Sequence, residues 1–203
     1  MKTKIINALL QEYAPHSMIL YGSYADGTFD QDSDLDALLI CDDPPCEKLR
    51  DTMFGIRLDV HFVSSEEVLA GVDPEEYLQV YDGVLVRDEH GAGAKLIESV
   101  RAYVASQTPK TREEKALELS WCDKMLKRAQ RDDAEGFYRW HWLLTESLMI
   151  YCEIKEWFYF GPKKTLKRMQ NEDEASYQIY EKALRGMEWE HMQAWVQRLH
   201  ALL

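Results

Sequence analysis

Residues 22–36 read GSYADGTFDQDSDLD, and this stretch decides the fold of the first half of the chain. An apolar run at residues 18–21 leads into it, and a second apolar run at residues 37–41 leads out of it. Short apolar runs bounded by glycine and acidic residues predict two β-strands joined by a polar loop. Asp34 and Asp36 are two residues apart at the start of the second strand, so their carboxylates share one face of it.

Further residues around this stretch indicate a site rather than a simple turn. Two carboxylates on one face suit a hard divalent cation such as Mg²⁺, although a D-x-D pair alone also occurs in solvated turns. Gly22 and Ser23 offer backbone N–H groups and a hydroxyl, and glycine lets the chain approach a phosphate closely. A third acid, Asp59, lies in the alternating run IRLDVHFV at residues 56–63, on the same predicted face as His61.

The combination of G-S, D-x-D and an isolated later Asp resembles the polymerase-beta-type nucleotidyltransferase superfamily. Within it, the chain most resembles small bacterial two-domain enzymes related to the aminoglycoside and lincosamide nucleotidyltransferases. The motif match covers residues 17–63 and extends loosely to about residue 105; beyond that, only a general likeness to a helical C-terminal domain remains. The resemblance implies Mg²⁺-dependent transfer of a nucleoside monophosphate, AMP from ATP or another nucleoside triphosphate, to a hydroxyl of a small-molecule acceptor such as an aminoglycoside-like antibiotic.

The resemblance also implies roles for individual residues of the first half. Asp34, Asp36 and Asp59 would hold two metal ions, and Asp59 is one candidate to accept the proton of the attacking hydroxyl. Gly22 and Ser23 would hold the β- and γ-phosphates. Because the set of three acids is complete, the sequence argues against an inactive enzyme.

The other acids of the loop are interpreted as ordinary loop residues rather than metal ligands. They are Asp26, Asp30 and Asp32. Many relatives carry an arginine where Asp26 stands, and an acid there weakens any phosphate-binding role for this position. His61 is a candidate for a substrate contact, but a hydrogen-bonded structural histidine is the simpler interpretation.

The second half of the chain contributes weaker candidates. Glu146 lies among apolar residues of a predicted helix, and related antibiotic-modifying enzymes use a glutamate of the helical domain as the base. A partly exposed helix glutamate is the simpler interpretation. Lys163 and Lys164 are candidates to bind the triphosphate, although a lysine pair on a helix is more often a solvated face. Arg185 and His191 match the R-x5-H spacing of HEPN-type ribonucleases, but this spacing spans a glycine and is common by chance.

Periodicity predicts an α+β protein with two domains. The resemblance implies that residues 1–108 form a small mixed-sheet nucleotidyltransferase domain, and helical periodicity predicts an all-α helical bundle over residues 109–203. A third strand is expected at residues 54–63, after a brief helix or loop at residues 46–52. Helices are predicted over residues 2–14, 111–131, 134–157, 173–185 and 188–202. The aromatic residues of the 134–157 segment are interpreted mainly as core.

The charge distribution is uneven. The net charge is −12, and residues 1–109 hold 8 Lys/Arg against 20 Asp/Glu, whereas residues 110–203 are balanced at 16 of each. A negative surface repels a nucleic-acid backbone and argues against a polymerase. It suits a cationic small substrate, or merely solubility.

The sequence also indicates the cellular compartment of the protein. No apolar run approaches the length of a membrane span, and the N-terminus lacks a signal-peptide core. The four cysteines lack metal-ligand spacing. We therefore expect a cytoplasmic chain with reduced cysteines and no membrane partner.

Two alternatives to a small-molecule transferase stay open. One is a toxin–antitoxin-type minimal nucleotidyltransferase that acts on a protein partner, although such proteins are usually shorter. The other is a nucleotide-binding regulatory module that has lost transfer, against which the complete set of three acids speaks. The acceptor, the preferred nucleotide and self-association into a homo-oligomer stay open as well.

Overall fold

A computed structural model describes all 203 residues, which form two compact units, Met1–Gln107 and Thr108–Leu203. In chain order, the elements of the first unit are α1 (Lys2–Tyr13), β1 (Ser17–Tyr21), α2 (Ser23–Asp26), β2 (Leu35–Cys41), β3 (Lys48–Met53), β4 (Ile56–Ser64), α3 (Ser65–Ala70), a 3₁₀ helix (Pro74–Val80), β5 (Val84–Asp88) and α4 (Ala92–Ser106).

The five strands form one mixed sheet in the order β3-β4-β2-β1-β5. Strands β2 and β4 are parallel, and every other neighbouring pair is antiparallel. This confirms the predicted mixed-sheet domain.

Each face of the sheet is covered by different helices because side chains alternate along a strand. On one face, Ile5 and Leu9 of α1 pack with Leu35 and Leu58. On the other face, residues of α4, α3 and the 3₁₀ helix pack with side chains such as Leu38. The acids of the predicted site point to this second face, beyond the end of its apolar cluster.

The edge strand β3 corrects the expectation of a brief helix or loop at residues 46–52. Its sequence KLRDTM lacks apolar alternation because β3 lies at the edge of the sheet and is largely open to solvent. Phe54 and Gly55 connect it to β4, both with positive φ, as in the tight turns that suit the twist of a hairpin.

Two helix boundaries of the first unit agree with the signals in the sequence. Ser64 and Glu67 form the predicted capping box at the start of α3. α1 ends at Tyr13, just before Pro15, within a residue of the predicted end.

The second unit consists of five helices. They are α5 (Arg112–Arg128), α6 (Ala134–Ile154), α7 (Pro162–Glu172), α8 (Glu174–Arg185) and α9 (Trp189–Leu202). This confirms the predicted helical region. No helix of either unit is both long enough and apolar enough to span a membrane.

The aromatic residues of α6 divide between core and surface. Trp140 and Tyr151 are buried in the core of the second unit. Phe137, Tyr138 and Trp142 are exposed, so their interpretation as core is wrong.

Candidate active site

The turn after β1 is built on Gly22. Its φ of 64° and ψ of −156° are readily adopted by glycine but strained for residues that carry a Cβ. A Cβ at this position would lie 2.2 Å from Asp36 Oδ2. The backbone of Gly22 therefore packs directly against the Asp36 carboxylate, and the buried Ser23 begins α2 immediately after it.

Asp36 and Asp59 are paired across the parallel strands β2 and β4. Their sequence neighbours Leu35, Ala37 and Leu58 point into the α1 side of the core, so both carboxylates point to the opposite face. Neighbouring strands are about 4.8 Å apart, which brings the two acids side by side. The register, which is a tertiary property, thus joins two acids that are 23 positions apart in the sequence.

Asp34 lies two residues before Asp36, just ahead of β2, and it pairs with Arg57. The Nε of Arg57 donates to Asp34 Oδ1 at 2.5 Å, and a second guanidinium nitrogen donates to the carbonyl of Asp32 at 2.7 Å. Asp34 raises the pKa of Arg57 through this hydrogen bond. Arg57 therefore fixes the end of the loop onto β4.

Basic side chains surround Asp59. Lys48 Nζ lies 2.7 Å from Asp59 Oδ1, and His61 Nε2 lies 3.6 Å from the same oxygen. Arg50 is the register partner of Asp59 in the β3–β4 hairpin. Lys48 and Arg50 were not identified from the sequence, because their strand was not predicted.

Two pKa shifts report the electrostatics of this region. Burial and the nearby Lys48 lower the pKa of His61, which favours the neutral imidazole. Burial and the carboxylates of Asp36 and Asp59 raise the pKa of the Tyr21 phenol. Tyr21, the β1 partner of Asp36, therefore stays protonated beside the acid pair; in the sequence it reads only as the last apolar residue of a strand.

A cavity of about 400 Å³ opens beside these acids. It is lined by Asp34, Arg50, Asp51, Thr52, Arg57, Leu58 and Asp59. Its volume lies within the range of small-molecule sites, and its walls combine carboxylates with two guanidinium groups.

The other loop acids make local hydrogen bonds. Asp26 accepts from the backbone N–H and the hydroxyl of Thr28, at 3.0 and 2.6 Å. Asp30 accepts from the Ser33 hydroxyl and from the backbone N–H of Asp32, at 2.9 and 3.0 Å. These contacts shape the loop and agree with the interpretation of these acids as loop residues.

Three sequence candidates lie in the second unit. Glu146 on α6 is half-buried and lines a cavity of about 300 Å³ with Trp121 and Trp142. Lys163 is exposed in the first turn of α7, and the Lys164 Nζ lies 4.9 Å from the centre of the Phe160 ring. Their roles stay predictions.

The R-x5-H pair also lies in the second unit. Arg185, the last residue of α8, pairs with Glu181 of its own helix at 2.8 Å. His191 in α9 lies 3.5 Å from Glu188. The two residues lie on separate helices and each contacts an acid close to it in the sequence, so these contacts give the nuclease interpretation no support.

The donor set of the first unit fits divalent metal ions. Asp36 and Asp59 are neighbours in register, Asp34 stands two residues away, and carboxylate oxygens are the preferred ligands of Mg²⁺. Asp59 Oδ1 is buried and accepts no well-directed hydrogen bond, although Lys48 Nζ is close to it. A metal ion would share this oxygen with the Lys48 ammonium group.

Comparison with known proteins places this geometry in a family. Residues 2–119, more than half of the chain, match the family described as the nucleotidyltransferase domain, and the chain belongs to that family. It is accordingly a transferase that acts by nucleotidyl transfer, with a nucleoside triphosphate as substrate. The closer resemblance to aminoglycoside and lincosamide enzymes stays a prediction.

Among solved structures, the chain is similar to a nucleotidyltransferase-like protein from Exiguobacterium sibiricum 255-15. The two are 16% identical with a TM-score of 0.39, and the match covers 100% of this chain and 74% of that chain. No curated protein sequence matches the chain.

Proposed function

We propose that this protein transfers a nucleoside monophosphate, AMP from ATP, to a hydroxyl group of a small cationic acceptor in a Mg²⁺-dependent reaction. An aminoglycoside-like antibiotic has the required chemistry, since it carries several hydroxyl groups and a high positive charge. The observation that carries the proposal is the convergence of Asp34, Asp36 and Asp59 at the Gly22 turn.

Asp34, Asp36 and Asp59 would hold the two metal ions. When bound, such ions neutralise phosphate charge and orient the attacking and leaving oxygens for in-line displacement. The acceptor oxygen forms a bond to the α-phosphorus, and the bond from that phosphorus to the bridging α–β oxygen breaks. The products are a nucleotidylated acceptor and pyrophosphate.

Gly22 and Ser23 would bind the β- and γ-phosphates. A glycine without a side chain exposes its backbone N–H to an anion, and the Ser23 hydroxyl adds a donor next to it. Lys163 and Lys164 are further candidates for the triphosphate.

Asp59 is the first candidate for the group that accepts the hydroxyl proton. Its strand partner Asp36 lies beside it, and Lys48 and His61 border it, so its carboxylate sits in the centre of the charged group. Glu146 is the second candidate, since it is half-buried and lines a cavity beside Trp121 and Trp142.

The decisive experiment measures pyrophosphate release from each of the four nucleoside triphosphates with Mg²⁺. The acceptors are a panel of aminoglycosides, lincosamides and neutral polyols, and the mass of the product is determined by mass spectrometry. Asp36→Asn preserves the size of the side chain and removes its charge, and we expect it to lower the rate at least about a hundredfold. Asp43→Asn, at an exposed acid outside the site, is the matched control and should leave the rate unchanged.

The outcomes separate the alternatives. Acceptor-dependent release that is lost in Asp36→Asn supports the proposal and identifies the acceptor class. Release that requires a protein acceptor, with a nucleotide adduct on that protein, would favour the toxin–antitoxin alternative. Nucleotide binding without release for any acceptor would favour a regulatory module.

A further inference from the structure

A second group of metal-ligating side chains lies at the end of the sheet opposite the Asp36–Asp59 pair. His16 precedes β1, and Glu89 and His90 follow β5, the antiparallel neighbour of β1. The backbone N–H of Glu89 donates to the carbonyl of His16 at 2.9 Å, so the ladder brings these side chains together. The length of β1, about 13 Å, separates them from the nucleotidyl-transfer site.

The donor atoms of this group already lie close to one another. One ligand atom each of His16, Glu89 and His90 can be chosen so that all lie within 4.8 Å of one another, and His16 Nδ1 is 3.9 Å from Glu89 Oε2. The two imidazole rings are 4.5 Å apart, centre to centre. In tetrahedral zinc sites with bonds of about 2.0–2.2 Å, neighbouring ligand atoms are about 3.3 Å apart. Small side-chain rotations would close the remaining distance.

Asp42 orients the first of these histidines. His16 Nε2 lies 2.9 Å from Asp42 Oδ2. An ionised carboxylate only accepts hydrogen bonds, so Nε2 carries a proton, and in the neutral imidazole Nδ1 then presents its lone pair. This is the arrangement in which a carboxylate holds a metal-binding imidazole in the required tautomer.

The backbone that carries Glu89 and His90 is held firmly. The adjacent Asp88 accepts from the Ser17 hydroxyl at 2.6 Å and from the backbone N–H groups of Gly93 and Ala94, each at 3.0 Å. These bonds join the end of β5 to the start of both β1 and α4. The two ligands therefore extend from a fixed turn rather than from a free loop.

The charges around the group leave one ligand oxygen facing His16. Arg87 pairs with Glu89 Oε1, whereas Glu89 Oε2 faces the imidazole. Two imidazole nitrogens and one carboxylate oxygen are a donor set that favours Zn²⁺ and related first-row ions over Mg²⁺.

We propose that His16, Glu89 and His90 bind one Zn²⁺ ion, with Asp42 as the positioning residue for His16. The ion would tie the residue before β1 to the turn after β5 and stabilise this end of the sheet. This site is separate from nucleotidyl transfer and does not depend on its mechanism.

The test is a calorimetric titration of the full-length protein with Zn²⁺ in the presence of excess Mg²⁺, with thermal unfolding as a second readout. We expect one Zn²⁺ per chain and a higher unfolding temperature with Zn²⁺. His90→Ala and Glu89→Gln should weaken Zn²⁺ binding at least tenfold and remove the thermal shift. Asp42→Asn should weaken binding about tenfold, as loss of an orienting carboxylate does.

Two further variants make the result specific. His141→Ala removes an exposed histidine of the second unit and should bind Zn²⁺ like the unmodified protein. Asp36→Asn should also retain Zn²⁺ binding while nucleotidyl transfer is lost. The proposal is overturned if the unmodified protein binds no Zn²⁺, if His90→Ala and Glu89→Gln bind it unchanged, or if Asp36→Asn removes it.

Discussion

Gly22 connects local backbone conformation to the chemistry of the site. Positive φ alone accounts for glycine at several turns of this chain, but at Gly22 a second constraint applies. The Asp36 carboxylate occupies the space that a Cβ would need. Only a residue without a side chain allows the turn and the acid to be neighbours.

We predict that Gly22→Ala lowers nucleotidyl transfer at least about tenfold and lowers the free energy of unfolding by about 1–3 kcal/mol, because strain adds to the displacement of Asp36. Steady-state kinetics and denaturant unfolding measure the two effects. Gly55→Ala is the matched control, since Gly55 has a φ of 82° but no atom beyond its adjacent residues lies within 4 Å of the position that a Cβ would take there. Equal losses of activity in the two variants would contradict a role for the contact with Asp36, since backbone strain alone would then explain the loss.

At the scale of elements, the start of α8 organises the second unit. Asp173 accepts from the Ser176 hydroxyl at 2.8 Å and from the Tyr151 hydroxyl of α6 at 3.0 Å. It also pairs with Lys155, the residue after α6, and with Arg198 of α9, both at 3.2 Å. Burial opposes ionisation of this carboxylate, but the hydrogen bonds outweigh it and lower its pKa to about 2. One side chain thus joins three helices.

We predict that this network makes the stability of the second unit depend on acid pH. The pKa of Asp173 is lower when folded than when unfolded, so its contribution is present above about pH 4 and is lost as the pH falls towards 2. The pKa of Asp173 differs by almost two between the unfolded and folded states, which corresponds to about 2 kcal/mol of the free energy of unfolding. The free energy of unfolding, determined with denaturant at pH values from about 6 to about 2, measures this contribution.

Asp173→Asn tests the assignment of that pH dependence. It should lower the free energy of unfolding by about 2 kcal/mol at neutral pH and flatten the dependence below pH 4. Asp132→Asn, at an exposed acid of the same unit, should change neither. An unchanged acid profile in Asp173→Asn would show that other carboxylates are responsible.

For the whole molecule, the uneven distribution of charge bears on the proposed cationic acceptor. The entire net charge of −12 falls within residues 1–109, the part that carries the three acids. Two Mg²⁺ ions bound as proposed would neutralise only a fraction of it. The remaining field attracts cations and repels nucleic acid.

We predict that salt weakens the use of cationic acceptors selectively. At saturating nucleoside triphosphate, kcat/KM for an aminoglycoside should fall as NaCl is raised from about 0.05 to 0.5 M, whereas kcat/KM for a neutral polyol should change little, because salt screens only the charged pair. Fluorescence anisotropy should detect no DNA binding over the same range. Equal salt dependence for both acceptors would exclude steering by this field.

Most of the elements, β3 excepted, and the choice of the three acids as candidates follow from the sequence alone. Alternating apolar residues, the glycine turn and the capping box are local signals, and each acts within a few residues of its own position. They predict the strands that carry Asp36 and Asp59, the loop end that carries Asp34, and the helical second half.

The surroundings of those acids were decided by the tertiary structure. Lys48 and Arg50 belong to an edge strand whose charged sequence has no apolar period, so only pairing with β4 makes it a strand. Tyr21 becomes a neighbour of Asp36 through the β1–β2 register, and His16 meets Glu89 and His90 through the β1–β5 ladder. Such contacts depend on strand register and on chain segments far apart in sequence, for which local periodicity contains no signal.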